Sequence, residues 1–264
     1  MSEPQTPDEI LDHYERIQDE AVRLQEGPDG TMEAIRTLEL LGRFLPAPPA
    51  RILDVGGGAG FYALRLTAQG HEVHLIDPVP RHVEEASRPA GEFPTPASAC
   101  LGDARSVGHP DGSFDAVLLL GPLYHLTERT DRLTALAEAR RVMKDGGLLA
   151  AAGITRFASA IDGLDRGLLD DPAFVEIMER DLAEGQHRNP TGNPSYFTTA
   201  FFHHPYELKA EVAEAGFEDV SVYAIEGISW AAPDLADRLA DPAKREIVLD
   251  IVRRTENEPG QHGQ

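Results

Sequence analysis

Arg51-Ile52-Leu53-Asp54-Val55-Gly56-Gly57-Gly58-Ala59-Gly60 is the stretch whose reading decides the fold. A short aliphatic run carries an acid near its end, then turns through glycines at alternate positions, Gly56, Gly58 and Gly60. Residues 61–69 read as a helix. A strand that turns through glycines into a helix brings bare backbone N–H groups close to a ligand. The expected ligand is therefore nucleotide-like, and the question is which one.

Outward from this loop, strands and helices alternate. Strands are expected at 51–55, 72–76, 97–101, 114–120 and 148–154. Helices are expected at 61–69, 81–87 and 131–143, the last stopped by Lys144-Asp145-Gly146-Gly147. Apolar strands alternating with helices predict a parallel sheet covered on both faces. The rhythm fails over residues 155–204, rich in Asp, Gly, Pro and aromatics, with one helix expected at 172–182. So long a stretch without strands predicts an inserted lid. A helix at 205–215, a sixth strand at 220–225 and a last helix at 234–254 follow, with a frayed tail over 255–264. Upstream, Ile10, Leu11, Tyr14, Ile17, Ala21, Val22 and Leu24 recur at helical spacing, and Gly27-Pro28-Asp29-Gly30 reads as a break before a second helix. The expected class is α/β, a doubly wound, mostly parallel sheet of six or seven strands. A helical cap over 1–47 precedes a core over 48–264 that contains the lid.

Composition sets outer bounds. The 264 residues suffice for one large α/β domain, and 41% hydrophobic content supports a core. With 45 acids against 24 bases the formal net charge is −21, which repels nucleic-acid backbones and anionic lipid. Most of that acidity reads as a solvated surface. The single cysteine, Cys100, excludes an internal disulfide and reads as a small buried residue beside a strand. The first residues lack the basic and apolar regions of a signal peptide, and no stretch approaches the roughly 18–20 apolar residues that span a bilayer. The expectation is a cytoplasmic protein with a small-molecule substrate and neither nucleic acid nor membrane as partner; a homo-oligomer is compatible with the sequence.

The glycines alone admit two cofactors. Gly58-Ala59-Gly60-Phe61-Tyr62-Ala63 fits a dinucleotide fingerprint, with Asp77 at the distance of a ribose-binding acid. An NAD-dependent oxidoreductase thus stands as an alternative. Asp54 tilts the balance, because a carboxylate beside the glycines repels a pyrophosphate and suits the ammonium and sulfonium of S-adenosylmethionine. Asp103, after the third strand, can accept a hydrogen bond from an adenine amino group. Asp54, Asp77 and Asp103 then form one electronegative rim at the carboxyl edge of the sheet, where ligands bind in this architecture.

On these residues the chain resembles a class I S-adenosylmethionine-dependent methyltransferase, a Rossmann-like fold. Leu53 to Gly60 resembles the family's D-x-G-x-G-x-G loop, Asp77 the acid on the ribose hydroxyls, and Gly102-Asp103 the adenine-binding acid. Leu120-Gly121-Pro122-Leu123-Tyr124-His125 and Ala139 to Gly147 look like the end of the fourth strand and the turn before the fifth. The resemblance covers about residues 48–155. The Gly-Pro-Leu-Tyr-His form and Tyr196-Phe197-Thr198-Thr199-Ala200 resemble bacterial small-molecule enzymes, many of them serving specialised metabolism. It implies S-adenosylmethionine as cofactor, held by Asp54, Gly56, Gly58, Gly60, Asp77, Pro78, Gly102, Asp103, Ala104 and Leu120, with Tyr14 on a first helix that folds over it. Two departures stand out: Asp145 replaces the usual proline of the turn, and no β-branched run after Arg254 supplies a seventh strand, leaving at most a short one at residues 227–231.

Methyl transfer asks the protein to align a nucleophile and remove its proton where it has one. His125, just beyond the fourth strand, suits a general base, or else caps the next helix. Tyr124 orients substrate or packs in the wall. Arg23 and Arg36 are candidate partners for the cofactor's carboxylate, or solvated helix residues. In the lid, His187, Tyr196, Phe197 and Phe201 suggest an aromatic substrate pocket, or anchors for the lid itself. His203-His204 point apart in extended chain and lack an acid at ligand spacing, so no metal is assigned. A catalytically silent protein that holds S-adenosylmethionine is the remaining alternative.

Overall fold

A computed structural model describes residues 6–16, 20–25, 27–88 and 93–259. Five strands form one parallel sheet: β1 (Arg51–Val55), β2 (Glu72–Asp77), β3 (Ser98–Leu101), β4 (Phe114–Leu119) and β5 (Met143–Ala151). Their order is β3-β2-β1-β4-β5. The chain steps outward from β1 to β3 and then returns to lay β4 against the other side of β1. Between β1 and β4 lies the switch point, with Asp54 level with Leu75 on one side and Leu118 on the other.

Helices cover both faces. On the N-terminal side are α1 (Asp8–Arg16), α2 (Glu20–Arg23) and α3 (Gly27–Phe44); α4 (Phe61–Ala68), α5 (Pro80–Ala86), α6 (Pro122–His125) and α7 (Arg129–Val142) connect the strands. Leu53, Val55, Val117 and Leu119 point to one face and bury against Ala135, Leu136, Ala139 and Val142 of α7. Ile52, Leu75, Ala116 and Leu118 point to the other and bury against Tyr62, Ala63 and Leu66 of α4 and Ala34 and Leu41 of α3. Apolar residues on both sides of each inner strand are what a parallel sheet requires. No helix among the described residues is long and apolar enough to cross a membrane.

Several expectations are corrected. Gly27-Pro28-Asp29-Gly30 is the first turn of α3, because Pro28 suits a position whose N–H is not needed. The fifth strand begins at Met143: Lys144 to Gly147 is absorbed as a bulge, Phe114 facing Met143 and Ala116 facing Leu148. Residues 155–204 are not without strands. Together with Ile154 they hold β6 (Ile154–Thr155), α8 (Ala158–Arg166), α9 (Pro172–Glu184), β7 (Gln186–His187) and β8 (Ala200–His203), with the strands in the order β6-β8-β7. Strands of two to four residues are too short to show alternation. Cys100 is exposed on edge strand β3.

The C-terminal third departs most. After α10 (Pro205–Glu214), residues 220–225 form no strand, and residues 227–231 make a 3₁₀ turn, so the described sheet has five strands rather than six or seven. The backbone N–H of Ala224 donates to Glu256 O at 2.8 Å, which ties this segment to the C-terminus instead of to β5. The expected single last helix is two, α11 (Leu235–Ala240) and α12 (Pro242–Thr255), divided by Asp241-Pro242, where Asp241 caps α12 through Ala243 N and Lys244 N.

The tail does not fray at its start. Glu256 is buried and pairs with Arg36 and Arg43 of α3. Arg36, fully buried, also meets Glu39 at 2.8 Å. Residues 260–264 lie outside the described residues. Removing one member of a buried ion pair leaves the other under-compensated. Glu256→Ala is expected to lower unfolding free energy by about 3 kcal/mol, checked by urea denaturation.

Candidate cofactor site

At the carboxyl end of β1 the chain leaves the strand through Gly56 (φ +67°), Gly58 (φ +56°) and Gly60 (φ +88°). A side chain is excluded at Gly57 for another reason. A Cβ there would lie 2.6 Å from Leu75 Cδ1 and 2.7 Å from Asp54 Oδ2. Asp54 thus packs its carboxyl directly beneath the loop. It is 1% exposed, and its Oδ2 has no hydrogen-bond partner. Burial, and after it the charge of Asp77, push this carboxyl up to about 7.

Asp77 ends β2 and ties the two loops together. Its Oδ2 accepts from Gly58 N at 2.9 Å; its Oδ1 accepts from Val79 N at 2.9 Å and faces His82 Nδ1 at 3.0 Å. Asp103, after β3, is held by Arg105. Its Oδ1 accepts from the Arg105 backbone N at 2.8 Å and from Nε at 2.9 Å, and its Oδ2 from Nη2 at 2.7 Å. Arg105 also reaches Asp131 at 2.7 Å, and the Asp103 carboxylate raises its pKa above the ordinary guanidinium value.

His125 closes α6. Its Nδ1 lies 3.2 Å from Thr199 O and carries the proton, so Nε2, 2.7 Å from Tyr14 Oη, accepts. Burial lowers its pKa to about 4, with the Thr199 carbonyl opposing. The ring is neutral at physiological pH. Tyr14 and Ile10 pack α1 on Val79.

One cleft gathers most of the residues singled out in the sequence. Asp54, Gly56, Gly58, Asp77 and Pro78 line it; Gly102, Asp103, Ala104 and Leu120 form another stretch of its wall; Tyr14, Tyr124 and His125 line it as well. Gly60 does not; it opens α4. Arg23 lines the cleft but holds Glu33 at 2.7 and 3.0 Å, and Arg36 is buried against Glu256.

Three of the residues expected in a lid lie elsewhere. His187 is buried between Asp181 (2.8 Å) and Tyr196 O (2.7 Å). The Tyr196 hydroxyl donates to Asp171 at 2.5 Å, and the Arg132 guanidinium sits 3.8 Å from the Phe201 ring centroid. Phe197, at φ +64°, sets its ring 6.0 Å from that of His125 and lines a second cavity of about 1590 Å³. Tyr14, Tyr62, Leu120 and Tyr124 wall both spaces.

His82, Arg105 and Thr199 are site residues that sequence reasoning missed. His82 follows Asp77 by five residues and Arg105 follows Asp103 by two, a short-range signal that was available. The carbonyl of Thr199, 74 residues from His125, gave none.

Residues 52–147 match a family model described as a methyltransferase domain. The chain is similar to the glycine/sarcosine N-methyltransferase of Parasynechococcus marenigrum, 33% identical over 152 residues that cover 55% of this chain and 54% of that protein. It is also similar to the malonyl-[acyl-carrier protein] O-methyltransferase of Geobacter sulfurreducens, 34% identical over 177 residues, covering 66% and 58%. The chain thus spans little more than half the length of these relatives. Among solved structures, an S-adenosylmethionine dependent methyltransferase from Mesorhizobium loti superposes with a TM-score of 0.55 over 82% of this chain and 96% of that one; at 19% identity the likeness is one of fold.

Asp54 gives this site a pH signature. Its carboxyl holds a proton more tightly folded, at about 7, than unfolded, at the ordinary aspartate value of 3.8. Folding stability therefore falls as pH rises through that interval and levels off above it. Asp54→Asn removes the ionisation. The gain in Tm of the variant over the parent is expected to be larger at pH 8 than at pH 4.5, measured by thermal unfolding at both.

Proposed function

We propose that this chain, which belongs to the class I S-adenosylmethionine-dependent methyltransferases, transfers a methyl group from S-adenosylmethionine to a small-molecule acceptor, as an enzyme of EC class 2.1.1. The observation that carries this reading is the Asp54 carboxyl, buried and with an unpartnered oxygen, beneath a glycine loop that a Cβ would fill. An orphaned acid there fits a cationic cofactor and opposes a pyrophosphate. Bound at this site, S-adenosylmethionine supplies a carbon already activated by its sulfonium.

The remaining roles fall to residues around it. A carboxylate offers about four lone-pair sites. Gly58, Val79 and His82 occupy three on Asp77, which leaves one for a ribose hydroxyl. Arg105 occupies three on Asp103, which leaves one for the adenine amino group. Neutral His125 offers Nε2 as a proton acceptor once Tyr14 yields it. Gly56, Gly58 and Gly60 keep the loop open, Pro78, Gly102, Ala104 and Leu120 complete the wall, and Tyr124 borders the acceptor side.

Calorimetry separates the cofactors: S-adenosylmethionine is expected to bind and NAD(H) not, and the reverse would overturn the reading. Asp77→Ala is expected to weaken S-adenosylmethionine by roughly 1–3 kcal/mol, since it strands a ribose hydroxyl; an unchanged affinity removes that assignment. His125→Ala is expected to bind S-adenosylhomocysteine normally and to lose turnover, whereas full turnover would end the base role.

A further inference from the structure

The larger cavity carries a charge pattern that the cofactor does not explain. Asp29 and Glu33 of α3, Asp162 and Asp165 of α8, and Glu226 all line it. They crowd one another. Burial and then Asp165 raise the Asp29 pKa; burial, and less strongly Asp165 and Asp29, raise that of Asp162 against the pull of Arg166. Burial and then Glu33 and Asp29 push Glu226 up to about 7. The two guanidiniums among them are engaged, Arg23 with Glu33 at 2.7 Å and Arg166 with Asp162 at 2.8 Å. The cavity's other cations lie elsewhere on its lining. Lys144, at the start of β5, holds Asp115 at 2.6 Å; Arg140 donates to Gly216 O at 2.9 Å; Lys209 is on α10. Five carboxylates against two guanidiniums leave this group net negative.

A second observation is independent of the acids. Tyr62, 7% exposed, walls both the cofactor cleft and this cavity. Its Oη is buried without a hydrogen bond of good geometry, although Thr37 stands beside it. Burial and then the Glu33 charge hold the phenol above its ordinary pKa, so it keeps its proton. A buried hydroxyl without a well-formed hydrogen bond is costly, and the residue that carries it lines both spaces. Tyr14, Tyr124, Phe197 and Trp230 supply further aromatic surface to the same cavity, and ring faces attract cations.

We propose that this part of the larger cavity binds the methyl acceptor and that the acceptor is an organic cation, an amine carrying an alkyl or arylalkyl group. The inference rests on the methyltransferase reading and names its substrate class. An alcohol adds no counter-charge to the three acids not held by Arg23 or Arg166, and an anionic acceptor is repelled by the group. An amine satisfies both features, with its N–H groups toward the carboxylates and Tyr62 Oη and its carbon chain against the rings. Entering as ammonium, it must first give a proton to a carboxylate. The freed lone pair then forms the N–C bond as the C–S bond breaks, the electron pair of that bond stays on sulfur, the methylated product leaves as an ammonium, and the carboxylate returns its proton to solvent.

The test is calorimetric titration of protein saturated with S-adenosylhomocysteine. The probes are phenethylamine, hexylamine and benzylamine, each against its uncharged alcohol counterpart at pH 7. At least one amine is expected to bind about tenfold more tightly than its alcohol. Asp29→Asn and Glu226→Gln are each expected to cut that preference about threefold while leaving S-adenosylhomocysteine affinity unchanged, which shows that the variants fold. Alcohols that bind as well as the amines throughout the set overturn the proposal, as does a preference that survives in the double variant. Failure of the parent protein to bind S-adenosylhomocysteine counts against the methyltransferase reading instead. The amine titration of the protein without it then decides the cavity on its own.

Discussion

Asp54 carries its carboxyl into the floor of the glycine loop, where burial and the charge of Asp77 both work against ionisation. The rest of the site depends on that placement. Gly57 must lack a side chain because the carboxyl occupies the space. The backbone that passes over it continues to Gly58, whose N–H goes to Asp77, so the loop after β1 and the loop after β2 are held at one spacing. Asp77 in turn fixes Val79 and His82 and thereby the start of α5. The buried acid sets the packing beneath the loop, and hydrogen bonds to its neighbour set the shape.

That central part was legible in the sequence because it is local. Residues 51–55 are a strand at those bounds, and Asp54, Asp77 and Asp103 reach the same edge because three parallel strands end there. Each acid's position follows from the strand before it. The C-terminal third was not legible in the same way. Residues 220–225 have the composition of a strand, Val220-Ser221-Val222-Tyr223-Ala224-Ile225, but a strand needs a partner. The Ala224 N–H is taken by Glu256, more than thirty residues on, and Arg36 reaches Ile225 O at 3.4 Å. Nothing in the local pattern announces a bond to the far end of the chain. Glu256 shows the same limit from the other side: in sequence it is one acid in a polar tail, and in the fold it is the counter-charge for a fully buried arginine.

Residues 155–204 illustrate a different loss of information. His187, Tyr196 and Phe201 have the residue types of a binding pocket, yet each has a structural partner at close range: Asp181, Asp171 and Arg132. Phe197 sits among them in the sequence but takes a backbone conformation unusual for a side chain of its size and turns toward His125. Aromatic composition marks the segment. Which ring faces the cavity depends on one dihedral angle, which composition does not encode.

Tyr14 connects these parts. Its hydroxyl occupies His125 Nε2, the lone pair that a base would need, while its ring borders both the cofactor cleft and the larger cavity. A hydroxyl both donates and accepts. The base role proposed for His125 therefore has two routes past this bond: Tyr14 swings aside with α1, or Tyr14 passes its own proton to Nε2 and takes another in its place. The second route needs no movement of α1. It also accounts for a histidine whose surroundings lower its basicity, since a ring that is neutral at rest can receive the Tyr14 proton, and a ring already charged could not.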